Sequence, residues 1–110
     1  MRVLLAIALV LLPVACAAVI PHATRAHAEL AGVPLDRLEH GRQLFVARCG
    51  NCHQAPAPSS HSAAEWSNIV PEMLEHANLE PAEGEEVLVF LKALASDVHV
   101  AAAPAVSGGR

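Results

Sequence analysis

The sequence predicts an all-α domain of three to four helices. Apolar residues recur at helical spacing in three separate stretches. Helix-starting chemistry stands ahead of two of them: Ser62-Ala63-Ala64-Glu65 before one, Pro81 at the head of another. Downstream of Ala28, no run alternates apolar and polar residues long enough to build a sheet. A chain of 110 residues holds one ordinary domain. It is too short for a closed α/β barrel or a doubly wound nucleotide fold.

The first segment reads as a targeting signal. Met1-Arg2 supplies a positive start, and Val3 to Ile20 is uncharged and mostly apolar. Ala26-His27-Ala28 then has the small-residue pattern of a cleavage site. The expected division is a signal peptide over 1–28, a folded domain over 29–95 and a disordered tail over 96–110. An uncleaved membrane anchor and lipidation at Cys16 are the alternatives. Pro13 and the many alanines weigh against a spanning helix, and Pro13-Val14-Ala15 is a poor lipidation box. From Glu29 onward, five Lys and Arg face eleven Asp and Glu, a net charge of −6. An acidic chain of this kind has no basic excess to hold a phosphate backbone, so nucleic acid is not an expected partner.

The first helix is expected from Leu35 to Arg48. Leu38, Arg42, Phe45 and Cys49 share its face, flanked by Gly41, Leu44 and Arg48. Pro56, Pro58, Ser59 and Ser60 mark a loop. Ser62 and Glu65 form a capping box for the next helix, whose apolar side is Trp66, Ile69, Val70, Met73 and Leu74. Pro71 is expected to kink or restart it. Pro81 opens the last helix, with Glu83, Glu85 and Glu86 near its positive end. Val87, Phe90, Leu91 and Leu94 are its buried face. Only three aromatics, Phe45, Trp66 and Phe90, serve this small core. A domain of that size needs a staple such as a metal, a disulfide or a large cofactor.

Cys49-Gly50-Asn51-Cys52-His53 offers one. In C-x-x-C-H, two thiols are spaced to reach the edge of one porphyrin and add to its vinyl groups. The adjacent His53 places an imidazole under the iron. Other uses of the two thiols fit less well. A thioredoxin-type disulfide calls for a βαβ context. Structural zinc calls for four ligands, and no second cysteine pair or spaced histidine pair follows. A disulfide across two residues closes too small a loop to stabilise much.

The chain resembles a small class I c-type cytochrome domain over about Leu35 to Leu94. Gly41-x-x-x-Phe45-x-x-x-Cys49 is similar to that family's N-terminal helix, whose glycine permits close crossing by the C-terminal helix. Val87-x-x-Phe90-Leu91 looks like the C-terminal helix. Glu65-Trp66, with Met73 seven residues after the tryptophan, resembles the short haem domains found beside periplasmic dehydrogenases, such as quinohaemoprotein amine dehydrogenase. The resemblance implies a cytochrome c-like, all-α wrap around one covalent haem c, with Met73 as distal iron ligand opposite His53. A proline carbonyl, of Pro56 or Pro58, would orient the proximal histidine. Trp66 either donates its indole N–H to a haem propionate or serves as core.

The expected function is single-electron transfer in the bacterial periplasm, with iron cycling between ferric and ferrous states between dehydrogenase or oxidase partners. No substrate-processing constellation stands out, so the chain is not expected to be an enzyme. A haem-based sensor or gas binder with an open distal site is the second reading. His76 and His61 compete with Met73 as distal ligands, and Glu72 and Glu75 around His76 suggest a solvated side of the helix. Membrane contact is expected only if the first segment is uncleaved or lipidated.

Overall fold

The structure, a computed structural model, describes residues 19–50 and 54–100. Cys16, Cys52, His53 and positions 101–110 of the expected tail lie outside the described residues. The described chain is all-helical: α1 (Arg25–Ala31), α2 (Leu35–Cys49), α3 (Ala63–Met73) and α4 (Pro81–Ala93), with a 3-10 turn at Pro58–Ser60. Among the described residues no helix is long and apolar enough to cross a membrane.

The three expected helices are present, each set by its termini. Pro34 and Leu35 open α2, which ends at Cys49, one residue beyond the expected bound. At the start of α3, Ser62 Oγ accepts the Glu65 N–H at 3.2 Å. Glu65 accepts the Ser62 N–H at 2.7 Å in return. Hydrogen bonds to its carboxylate from the Ser62 N–H and then the Ser62 hydroxyl hold the Glu65 carboxyl below its ordinary value. Pro81 is the first residue of α4, and Glu83 accepts the N–H of Glu80 at 3.0 Å. Pro71 lies within α3, and the helix does not restart there. It occupies the exposed side, while Trp66 and Val70 pin the buried side.

Beyond α3 the chain winds on to Ala77. Asn78 then takes a left-handed φ of 52°. The Asn78 N–H bonds to the Glu75 carbonyl, and the Leu79 N–H to that of Leu74. This is a Schellman closure with asparagine where glycine is commoner. It turns the chain back so that α4 can return across α2.

The crossing of α2 and α4 organises the domain. Gly41 lies under α4, and a Cβ there would overlap the Glu86 carbonyl oxygen and stand 2.9 Å from Phe90 Cβ. Arg37 locks one flank, its Nε donating to both Glu86 carboxylate oxygens at 3.1 Å. Around the crossing, Leu38, Phe45, Val87, Phe90 and Leu91 are buried. Each such side chain contributes on the order of 1.5–3 kcal/mol by leaving water. Phe45 joins the helices: its ring lies 6.2 Å from Phe90 and meets Trp66 edge-on at 6.3 Å. The scarce aromatics are thus spent as one contiguous row through the centre.

Two further segments are ordered. Residues 20–28, which the sequence places at the end of a signal, lead into α1, which runs on to Ala31. Thr24 caps α1 through a capping box with His27, and Gly32 at φ 66° closes it. The expected cleavage point after Ala28 therefore falls within α1. At the other end, the tail was expected from Ser96. Instead, the Ser96 N–H bonds to the His61 carbonyl at 3.0 Å. Asp97 accepts the Ala63 N–H at 2.9 Å, and Val98 packs on the core.

Candidate haem site

A cavity opens between α2, α3 and α4 at Cys49, the first residue of the C-x-x-C-H motif. From α2 come Phe45, Arg48 and Cys49; from the loop, Pro56; from α3, Trp66, Ile69, Val70 and Met73. His76, Ala77 and Leu79 follow on the connection to α4, and Val87 and Leu91 close the back. The cavity proper holds about 120 Å³ and opens widely to solvent at its mouth. Apart from Arg48, Cys49 and His76, the described walls carry hydrocarbon, thioether or aromatic groups.

Each wall follows from helical phase. Cys49 stands one turn beyond Phe45 on α2, so a residue facing the core is succeeded by a thiol facing the cavity. Burial pushes the Cys49 thiol above its ordinary value. That makes it a poor free nucleophile and a suitable partner for an apolar edge. On α3, Trp66, Ile69, Val70 and Met73 follow at i, i+3, i+4 and i+7, and all four line the cavity. Arg48, unflagged by motif reasoning, bridges two elements: it donates to the Asn78 carbonyl at 3.4 Å and lies 3.7 Å from a Glu83 oxygen. Its position directly before Cys49 was the available signal.

Trp66 is buried, and its indole N–H donates to the Pro58 carbonyl at 2.8 Å. An indole has one N–H. That donor is spent on the loop, which leaves the ring as wall. The same bond engages the Pro58 carbonyl, whereas Pro56 is the proline on the cavity wall.

Met73 and His76 share the rim. Met73 is 44 % exposed, unusual for a methionine. His76 is exposed, as its acidic neighbours suggested, yet also lines the cavity. His61 is placed elsewhere, its ring edge-on to Trp66 at 4.8 Å and its Nδ1 4.0 Å from Glu65. Cys52 and His53, the second attachment residue and the expected proximal ligand, lie outside the described residues.

These residues fit a large, flat, mostly apolar group with an iron at its centre. Hydrocarbon walls would cover its faces, the Cys49 thiol would reach an edge, and the Met73 thioether would be available at the rim. No family model, curated protein or solved structure matches the chain.

Proposed function

We propose that this chain is an exported, single-haem electron-transfer protein of the periplasm. The observation that carries the reading is the apolar cavity with Met73 on its rim and, in its wall, Cys49, which opens the sequence motif C-x-x-C-H. Cys49 and Cys52 would hold the haem by thioether bonds, His53 would be its proximal ligand and Met73 its distal one. When bound, the group supplies reversible one-electron exchange at iron.

The chain's own residues set the conditions for that exchange. Phe45, Trp66, Val70, Val87 and Leu91 line the site with apolar surface, which would favour the iron state of lower charge. Trp66, tied to Pro58, fixes the loop that follows the attachment motif. The rim on the Met73 side is open, which suits electron exchange with a docked redox partner. With net acidic charge and no lysine-rich face, the chain suits a basic or neutral partner surface.

The exposure of Met73 favours one second reading, a gas-binding sensor in which the distal position is vacant or readily vacated. The test is the purified protein from a host with haem-attachment machinery. One haem that survives acid–acetone extraction, and a ferric spectrum with the weak near-infrared band of sulfur–iron charge transfer, support the electron carrier. Freely extracted haem rejects covalent attachment. Tight carbon monoxide binding by the reduced wild type moves the function to the sensor.

A further inference from the structure

Residues just ahead of α2 are built into the core. Ile20 (6 % exposed), Ala23 (9 %) and Ala28 (8 %) belong to the buried cluster that holds Leu38 and Phe90. Arg42 donates to the Ile20 carbonyl at 2.8 and 3.1 Å and to the Pro21 carbonyl at 3.2 Å. Glu39 accepts the Ala23 N–H at 2.8 Å and bonds the His22 ring at 2.8 Å. Two α2 side chains thus clamp the backbone of 20–23, and α1 is capped at both ends.

A cut after Ala28 would divide α1 between its fourth and fifth residues. It would delete the Thr24 cap, take all three apolar side chains from the core and leave Arg42 and Glu39 without these partners. Signal cleavage acts on a chain before it folds, so access is not the obstacle. The obstacle is what the domain would lose.

We infer that Ile20 to Ala31 belongs to the mature domain and that the leader is removed after Ala17, at Ala15-Cys16-Ala17. That triplet has the small-x-small pattern, and it leaves an apolar run of Val3 to Val14. A run of that length falls within the ~7–15 residues of a signal's apolar region, whereas Val3 to Ile20 exceeds it. The cut leaves Ala18 and the 82 % exposed Val19 ahead of the first buried residue. Cys16 departs with the leader, so the mature chain keeps only the two motif thiols. The inference rests on the export reading and is independent of whether haem binds.

The experiment is N-terminal sequencing and intact mass of the full chain recovered from the periplasm of a bacterial host. The expected start is Ala18-Val19-Ile20-Pro21. A start at Glu29 overturns the inference while leaving export intact. A lipid-modified Cys16 start also overturns it. An intact Met1 start in the cytoplasmic fraction overturns export itself, and the inference with it. Two variants sharpen the assignment. Ala17→Leu should accumulate uncut precursor, and Ala26→Gln should leave the Ala18 start unchanged. A shift of the Ala17→Leu product to Glu29 without loss of yield or thermal stability would show that the folded domain does not need 20–28.

Discussion

Replacing Gly41 by alanine probes the contact on which the arrangement depends. In an isolated helix the change would be favourable by about 0.8–1.0 kcal/mol. Here the new Cβ would overlap the Glu86 carbonyl oxygen and sit 2.9 Å from Phe90 Cβ. The opposing oxygen belongs to backbone and cannot rotate away. α4 must retreat, and a gap of ~0.5–1 Å forfeits roughly a quarter to a half of each dispersion contact it opens. Overpacking of a well-filled site costs about 1–3 kcal/mol, and a backbone partner places this case at or above the upper end. After the propensity gain, a net loss of about 2 kcal/mol is expected. For a domain of this size, that corresponds to a fall in Tm of roughly 8–16 °C. Gly84→Ala is the internal control. Its Cβ would meet only the Leu74 side chain, overlapping its terminal Cδ2, which can swing aside, so its Tm should stay within about 5 °C of wild type. Thermal unfolding followed by circular dichroism measures both. Equal midpoints for Gly41→Ala and wild type would refute the close crossing.

Met73→Ala should abolish the near-infrared sulfur–iron band and let the reduced protein bind carbon monoxide, while His76→Ala should leave the band in place; the opposite pattern would make His76 the ligand. Trp66→Phe keeps the ring but strips the N–H from the buried Pro58 carbonyl, at a cost of about 1–3 kcal/mol, read as a lower denaturant midpoint with unchanged slope. For Glu39, burial alone would raise the carboxyl, but bonds from the His22 ring and the Ala23 N–H bring it below its ordinary value of 4.5. Its contribution is therefore complete above that value and is lost as pH falls through the depressed folded value. Amide exchange at 20–23 should accelerate over that acid range in wild type and be pH-insensitive, beyond the intrinsic chemistry, in Glu39→Gln. Identical profiles for the two would exclude the clamp.

Helices α2, α3 and α4 were legible because their termini are written in short-range chemistry. Pro34, the Ser62–Glu65 box and Pro81 each fix a start through local bonding alone. Their buried faces were legible for a related reason: Val87, Phe90, Leu91 and Leu94 repeat with a period that only one helical face satisfies. α1 was not legible. It has seven residues, its capping partner is a histidine rather than a glutamate, and its alanines suit a cleavage site as well as a helix. What ties the stretch leading into it to the domain is long-range contact of residues 20–23 with Arg42 and Glu39, which no local pattern encodes. The helix does not restart at Pro71, since a proline on a solvated side can be carried by a helix whose other side is pinned. In the site, Cys49 and Met73 could be placed by phase. The Trp66 donor could not, because its acceptor is a loop carbonyl whose position depends on the 3-10 turn at Pro58–Ser60.

The ion pair between Arg37 and Glu86 joins residues 49 apart. Closing so long a loop has an entropic cost that local helix formation does not, and contacts of high sequence separation form late in folding. Synthesis adds its own delay, because among the described residues α4 is the last helix to emerge. Until α4 docks, the chain has Cys49 on a helix end but no rear wall behind it, since Val87 and Leu91 have yet to arrive. Assembly thus has a built-in order, in which the thiol stands open to whatever modifies it and the arrival of α4 then shuts the site.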